Sequence, residues 1–197
     1  MDHSKEHILL PSLRVLLWSA PRSLSSVFER SIRELKTVKV IYEPHQQAYY
    51  YGPDRKTDSN NPTLSEVNPS ATFQAADEKL LLPYHDHQAV FAKNQAFFVE
   101  GNYEQYTQGS FANLKHTFLI RNPLKSIPSY YRACNKCGFP SLPNENGIRE
   151  LYDLFKTVQQ VDPTPVVVDA DDLLMNPREL MEQYCNCLLY TSDAADE

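Results

Sequence analysis

The sequence predicts one α/β domain, a three-layer sandwich around a mostly parallel sheet of about five strands. Two observations predict it. Short apolar runs rich in β-branched residues alternate with stretches whose apolar residues recur every three or four positions, and strands that alternate with helices assemble into a parallel sheet covered on both faces. The length of 197 residues suits one hydrophobic core and is marginal for two. Residues 1–187 read as that single domain, and 188–197 as a non-native or disordered tail.

Taken in order, Arg14 to Ser19 (RVLLWS) reads as a buried strand. Ser25 to Leu35 places Phe28, Ile32 and Leu35 at i, i+4 and i+7, the stripe of an amphipathic helix. Val38 to Tyr42 is a second strand, and the polar, proline-bearing stretch from Pro53 to Ser70 is a long surface excursion. Ala89 to Lys93, His116 to Ile120 and Pro165 to Asp169 supply the third, fourth and fifth strands. Helical patterns fill the gaps, among them Leu124 to Arg132 and Ile148 to Gln160, the second with Ile148, Leu151, Leu154, Phe155 and Val158 on one stripe. Asn176, Pro177 and Glu179 open the last helix, with a cap, a proline at the first position and a glutamate at the third. From Leu188 the text LLYTSDAADE breaks that pattern. It resembles adapter sequence read through on unrelated conceptual translations, so the true C-terminal part is expected to be missing.

Hydrophobic residues make up 42% and charged residues 22%, ordinary globular usage. The 19 basic and 25 acidic residues give 19 − 25 = −6, so no global field favours nucleic acid or an anionic membrane. Any anion has to be held by a local cluster. No apolar stretch approaches the ~20 residues of a membrane span, and Met1 to Pro11 lack a secretory pattern; a cytoplasmic protein with reduced thiols is expected. The cysteines fall as Cys134 and Cys137, in a segment that reads as turn-rich, and Cys185 and Cys187, which read as small, partly buried helix residues. Their spacing reproduces no structural zinc site. His85-Asp86-His87 reads as a solvated loop, and no metal is expected.

Chemistry concentrates in two places. Ser19 to Ser26 (SAPRSLSS) joins the first strand to the first helix, where backbone N–H groups converge on an anion. Arg22 adds a forked, permanent charge, and Ser23, Ser25 and Ser26 add hydroxyl donors. The segment lacks the glycines and the lysine of G-x-x-x-x-G-K-[ST], which counts against a nucleoside triphosphatase. A plainer reading has Pro21 shaping a turn and Ser25 capping the helix, and the local pattern does not choose between them. A second place shifts the balance toward the anion, although Arg121 alone could as well pair with a helix-end carbonyl. Arg121-Asn122-Pro123 ends strand four and Ser129 follows eight positions later on the next helix, so both can reach an anion in the crevice beyond the strand ends.

With both clusters in view, the chain resembles the sulfotransferases that use 3′-phosphoadenosine 5′-phosphosulfate (PAPS). The resemblance implies a P-loop nucleoside triphosphate hydrolase-like fold. It implies that Pro21-Arg22-Ser23-Leu24-Ser25-Ser26 matches the loop P-[KR]-S-G-[ST]-[ST] that holds the 5′-phosphosulfate. RNPLKSIPSYY matches the signature for the 3′-phosphate, with Arg121 and Ser129 in place. The runs WSAPRSLSSVFERSI, YEPHQQAYYYGP and VVVDADDLLMNP look like a sulfotransferase-like subfamily sometimes mislabelled as aminotransferase-like, and the likeness covers about residues 14 to 187. Leu24 stands where many members have glycine, although this subfamily often has leucine or valine there. The C-terminal R-K-G-x-x-G-type segment of many members is absent.

What the resemblance implies for activity is transfer of a sulfuryl group from PAPS to a hydroxyl or amine of a small-molecule or carbohydrate acceptor, without metal. Charge builds on the leaving oxygen in such transfers, and Arg22 is the candidate to meet it. Lys93 matches a lysine that several members place near the transferred group. Glu43, at the end of strand two, is the first candidate for general base, with His45, His85 and His87 as rivals. Tyr49, Tyr50 and Tyr51 either wall the acceptor or cover a core edge. Two other readings stand beside this one: a noncatalytic nucleotide-binding relative, and a small-molecule kinase, which the missing glycine-lysine loop opposes.

Overall fold

A computed structural model of the chain describes residues 11–57, 66–138 and 143–193. Five strands, β1 (Leu13–Ser19), β2 (Val38–Tyr42), β3 (Ala89–Gln95), β4 (Lys115–Ile120) and β5 (Val166–Asp169), form one sheet in the order β2-β3-β1-β4-β5. Every pairing is parallel. β1 sits at the centre because its residues are apolar without alternation, as a strand covered on both faces requires; Leu16, Leu17 and Trp18 are all buried.

The helices are α1 (Ser25–Arg33), α2 (Gln46–Tyr51), α3 (Phe73–Leu81), α4 (Pro123–Cys137), α5 (Ile148–Val158), α6 (Ala170–Met175) and α7 (Pro177–Asp193). They divide the core in two. Val15 and Leu17 of β1 meet Phe28 and Ile32 of α1 and Tyr184 of α7 on one face. Leu16 and Trp18 meet Leu151, Leu154 and Val158 of α5 and the short turns carrying Phe97, Phe98 and Tyr106 on the other. Alternation along a strand assigns the residues to these faces.

The structure differs from the sequence reading in the bounds of several elements. β3 continues two residues past Lys93 to Gln95. Cys134 and Cys137 do not lie in a turn-rich segment but on the last turns of α4, which runs through Pro128 and ends at left-handed Gly138. α7 extends to Asp193, past the Leu188 where the pattern breaks. Residues 194–197 lie outside the described residues, as do 1–10 and the middle of the excursion, 58–65. Among the described residues no helix is long and apolar enough to cross a membrane.

Candidate functional site

The carboxyl ends of β1, β2, β3 and β4 converge on one crevice, because parallel strands all point the same way. β1 and β4 are neighbours in the sheet, so the loop after β1 and the start of α4 stand side by side. Arg22 donates from Nε to Ser129 Oγ (3.1 Å), and Arg121 donates from Nη1 to the Arg22 carbonyl (2.8 Å). Two clusters about a hundred residues apart in sequence are thereby one constellation.

The loop itself is held in an unusual backbone. Arg22 (φ 65°) and Leu24 (φ 69°) both lie in the left-handed region. Such conformations cost a non-glycine residue of order 1–3 kcal/mol and persist where the surroundings impose them. Leu24 therefore adopts the conformation that glycine favours, and it occupies the N-cap of α1 with no side-chain cap bond. Ser25 is not the cap that the plainer sequence reading expects; it is the first helical residue. The Ser23 amide donates to the Ala20 carbonyl (3.3 Å), and the next amides turned inward, from Leu24 on, are those of Val27 and Phe28, both onto the Leu24 carbonyl (2.9 and 3.1 Å). The amides between, of Leu24, Ser25 and Ser26, are the ones a helix start leaves for a ligand. Ser23 Oγ and Arg121 Nε are buried donors with no partner, as expected where a fold awaits an anion. The cleft in front, about 330 Å³, is lined by Arg22, Ser25, Ser26, Glu43, Lys93 and Arg121. Donor type, open amides and unmet buried donors all fit the phosphate and phosphosulfate groups of PAPS.

Glu43 follows β2 with φ 38°, and its N–H donates to the Lys93 carbonyl (2.8 Å). This turns its side chain back toward β3, where Lys93, only 1% exposed, closes an ion pair on Glu43 Oε1. Gln95 donates to the same oxygen (3.0 Å) and accepts from Ser19 Oγ (3.3 Å). Lys93 Nζ also stands 4.7 Å from the Tyr42 ring centroid. Glu43 Oε2 has no hydrogen bond among the described residues and is the carboxylate oxygen still free to accept.

The rival histidines lie elsewhere. His45 is fully buried on the opposite face, with Nδ1 against Asn94 Nδ2 (2.9 Å) and Nε2 against Asp77 Oδ1 (2.9 Å) and the Tyr106 hydroxyl (3.0 Å). His85 and His87 precede β3, at the amino end of the sheet. Tyr49 is buried in the core. Tyr50 lines a second cavity of about 250 Å³, which shares Arg22, Glu43 and Gln95 with the first and adds Phe97, Phe98, Tyr130 and Glu145. Among the described residues no group of three or more His, Cys, Asp or Glu is placed to hold a metal.

Gln95, Phe97, Phe98 and Glu145 of these cavities escaped sequence reasoning, and Tyr130 entered it only as part of the run RNPLKSIPSYY. Gln95 could have been found from its position two past Lys93, the same face of a strand. Tyr130 follows Ser129 directly. Glu145 lies in a proline- and asparagine-bearing turn, Pro143–Asn146, that carries no periodic signal. Burial raises the Glu145 pKa, against a lowering contribution from its bond with Tyr130.

No protein-family model matches the chain. Two curated proteins of Arabidopsis thaliana do. Branched-chain-amino-acid aminotransferase-like protein 2 is 28% identical over 175 residues, and aminotransferase-like protein 1 is 27% identical over 182. Each alignment covers 87% of this chain but 29% of the relative, so the chain spans less than a third of their length. Among solved structures, a sulfotransferase from Alicyclobacillus acidocaldarius superposes with TM-score 0.63 at 16% identity, over 90% of this chain and 80% of that one. A gluconokinase from Sinorhizobium meliloti 1021 aligns at TM-score 0.47 and 14% identity, over 93% and 99% of the two chains. The first likeness shows the fold; the second is too low to carry an argument.

Proposed function

We propose that this chain is a PAPS-dependent sulfotransferase domain that transfers a sulfuryl group to a small-molecule or carbohydrate acceptor and works in the cytoplasm. The observation that carries the reading is the tie between the two anion clusters, Arg22 to Ser129 and Arg121 to Arg22, at the mouth of a cleft that also contains Glu43 and Lys93.

PAPS, when bound, supplies an activated sulfuryl group whose leaving oxygen gathers negative charge. In this chain the amides and hydroxyls of Ser25 and Ser26 would hold the 5′ end, with Ser23 and Leu24 shaping the loop, and Arg121 with Ser129 would hold the 3′-phosphate. Arg22 spends Nε on Ser129 and keeps its two terminal nitrogens for the leaving oxygen. Lys93 lies buried beside them, and its charge both holds Glu43 and favours an anion in the cleft. Glu43 takes the acceptor proton at Oε2 while Lys93 and Gln95 fix Oε1.

Calorimetric titration with 3′-phosphoadenosine 5′-phosphate, with ATP as control, tests the reading. Selective binding that Arg121→Ala weakens by about 1.5–3 kcal/mol, the range for a hydrogen bond to a charged group, is the expected result. Tighter binding of magnesium-ATP would favour a kinase, and binding without transfer to any acceptor would favour a noncatalytic relative. Failure of the folded chain to bind 3′-phosphoadenosine 5′-phosphate overturns the proposal.

A further inference from the structure

The second cavity contains a carboxylate that the transfer does not use. Glu145 is 8% exposed, and its partner among the described residues is the Tyr130 hydroxyl, which donates to Oε2 over 3.4 Å. No lysine, arginine or histidine pairs with it there. The other carboxylate of the cavity, Glu43, already has Lys93 as its counter-ion. Arg22, on the shared wall, is turned to Ser129. Among the described residues Glu145 is thus the carboxylate of the cavity that forms no ion pair.

Its reach is visible in its neighbours. The hydroxyl pKa values of Tyr49 and Tyr50 are raised, first by burial and next by the charge of Glu145. A buried carboxylate is costly without a counter-charge. Tyr50, Phe97, Phe98 and Tyr130 stand around it, and aromatic walls beside an acid are the setting in which proteins hold ammonium groups.

Resting on the reading that Glu43 faces the acceptor, we infer that this cavity selects an acceptor bearing a cationic ammonium group, held by Glu145 and the surrounding rings, with a hydroxyl directed to Glu43. A protonated or quaternary nitrogen has no lone pair to attack sulfur, so the hydroxyl is the group sulfated. The acceptor oxygen forms the new bond to sulfur, its proton passes to Glu43, and the bond from sulfur to the phosphate oxygen breaks with its electron pair on the phosphate. The volume of about 250 Å³ corresponds to roughly eight waters at their ~30 Å³ share of liquid, which suits a small amino alcohol.

Choline and its neutral isostere 3,3-dimethylbutan-1-ol, titrated into the full chain with and without 3′-phosphoadenosine 5′-phosphate, decide the matter. Choline is expected to bind about tenfold more tightly. Glu145→Gln should abolish that preference and leave affinity for 3′-phosphoadenosine 5′-phosphate within about twofold. Equal affinities in the unmodified chain, or a preference that survives Glu145→Gln, overturn the inference. The unmodified comparison stands even if the variant fails to fold. If choline is preferred but 3′-phosphoadenosine 5′-phosphate never binds, the cation site stands and the sulfotransferase reading falls; the reverse pattern removes the cation site alone.

Discussion

Lys93 and Asn94 are adjacent on β3, both buried, and their side chains leave opposite faces of the sheet. Asn94 Nδ2 enters a network that spends most of its groups internally, although Asn94 Oδ1 is buried without a partner. His45 uses both ring nitrogens, Asp77 accepts from Tyr106 and Gln105, and His116 accepts from Trp18 Nε1 (2.9 Å) and reaches the Tyr106 carbonyl (2.9 Å). Lys93 enters a cluster that does the opposite. Glu43 keeps one oxygen free, Arg121 and Ser23 carry unmet donors, and Arg22, Leu24 and Glu43 all hold positive φ. The network around His45 is nearly satisfied within itself, whereas the cluster around Lys93 is left more open and is strained, as the proposed ligand site requires.

This contrast can be broken by exchanging the kind of damage on each side. The largest expected effect is on chemistry. Glu43→Gln should lower single-turnover sulfuryl transfer about 10²- to 10⁴-fold, and a variant that transfers normally would remove Glu43 from the role of base. On the other face, His45→Ala should lower unfolding free energy by roughly 3–5 kcal/mol, because Asp77, Asn94 and Tyr106 lose a buried partner at once. Its affinity for 3′-phosphoadenosine 5′-phosphate per folded molecule should stay unchanged; a selective loss of affinity would show that the two clusters are not separate.

A smaller and graded effect comes from pH. Burial lowers the His116 pKa from 6.5 to about 4, against raising contributions from the Tyr106 carbonyl and Asp162. In the acid range the unfolded chain binds this proton first, so stability is full above about pH 6.5 and falls as pH drops to about 4, by up to roughly 3 kcal/mol. Urea unfolding between pH 7 and 4 should show a steeper decline for the unmodified chain than for His116→Asn. Parallel declines would mean that His116 is protonated in the native state.

Much of this architecture was legible because it is local. RVLLWS is apolar without alternation and becomes the central strand, and Phe28 and Ile32 become the buried stripe of α1. The loop from Ser19 to Ser26 and the pair Arg121 and Ser129 were legible as donor-rich segments at strand ends. Glu145, by contrast, was invisible: it sits in a turn without periodicity, and only packing brings it beside Tyr50 and Tyr130. Cys134 and Cys137 were misplaced because the glycine and prolines that follow them read as turn residues, while α4 in fact runs to Cys137 and stops at Gly138.

Strand identity, helix faces and the chemical character of each loop thus follow from the order of residues, since apolar periodicity and donor-rich turns act within one or two turns of chain. Which loops meet is a different matter. That β1 lies between β3 and β4 sets Arg22 against Ser129 and Arg121, and that β2 lies beside β3 sets Glu43 against Lys93. Strand order arises from burying two apolar faces at once, a property of the whole sheet, so the site exists only once the sheet has formed.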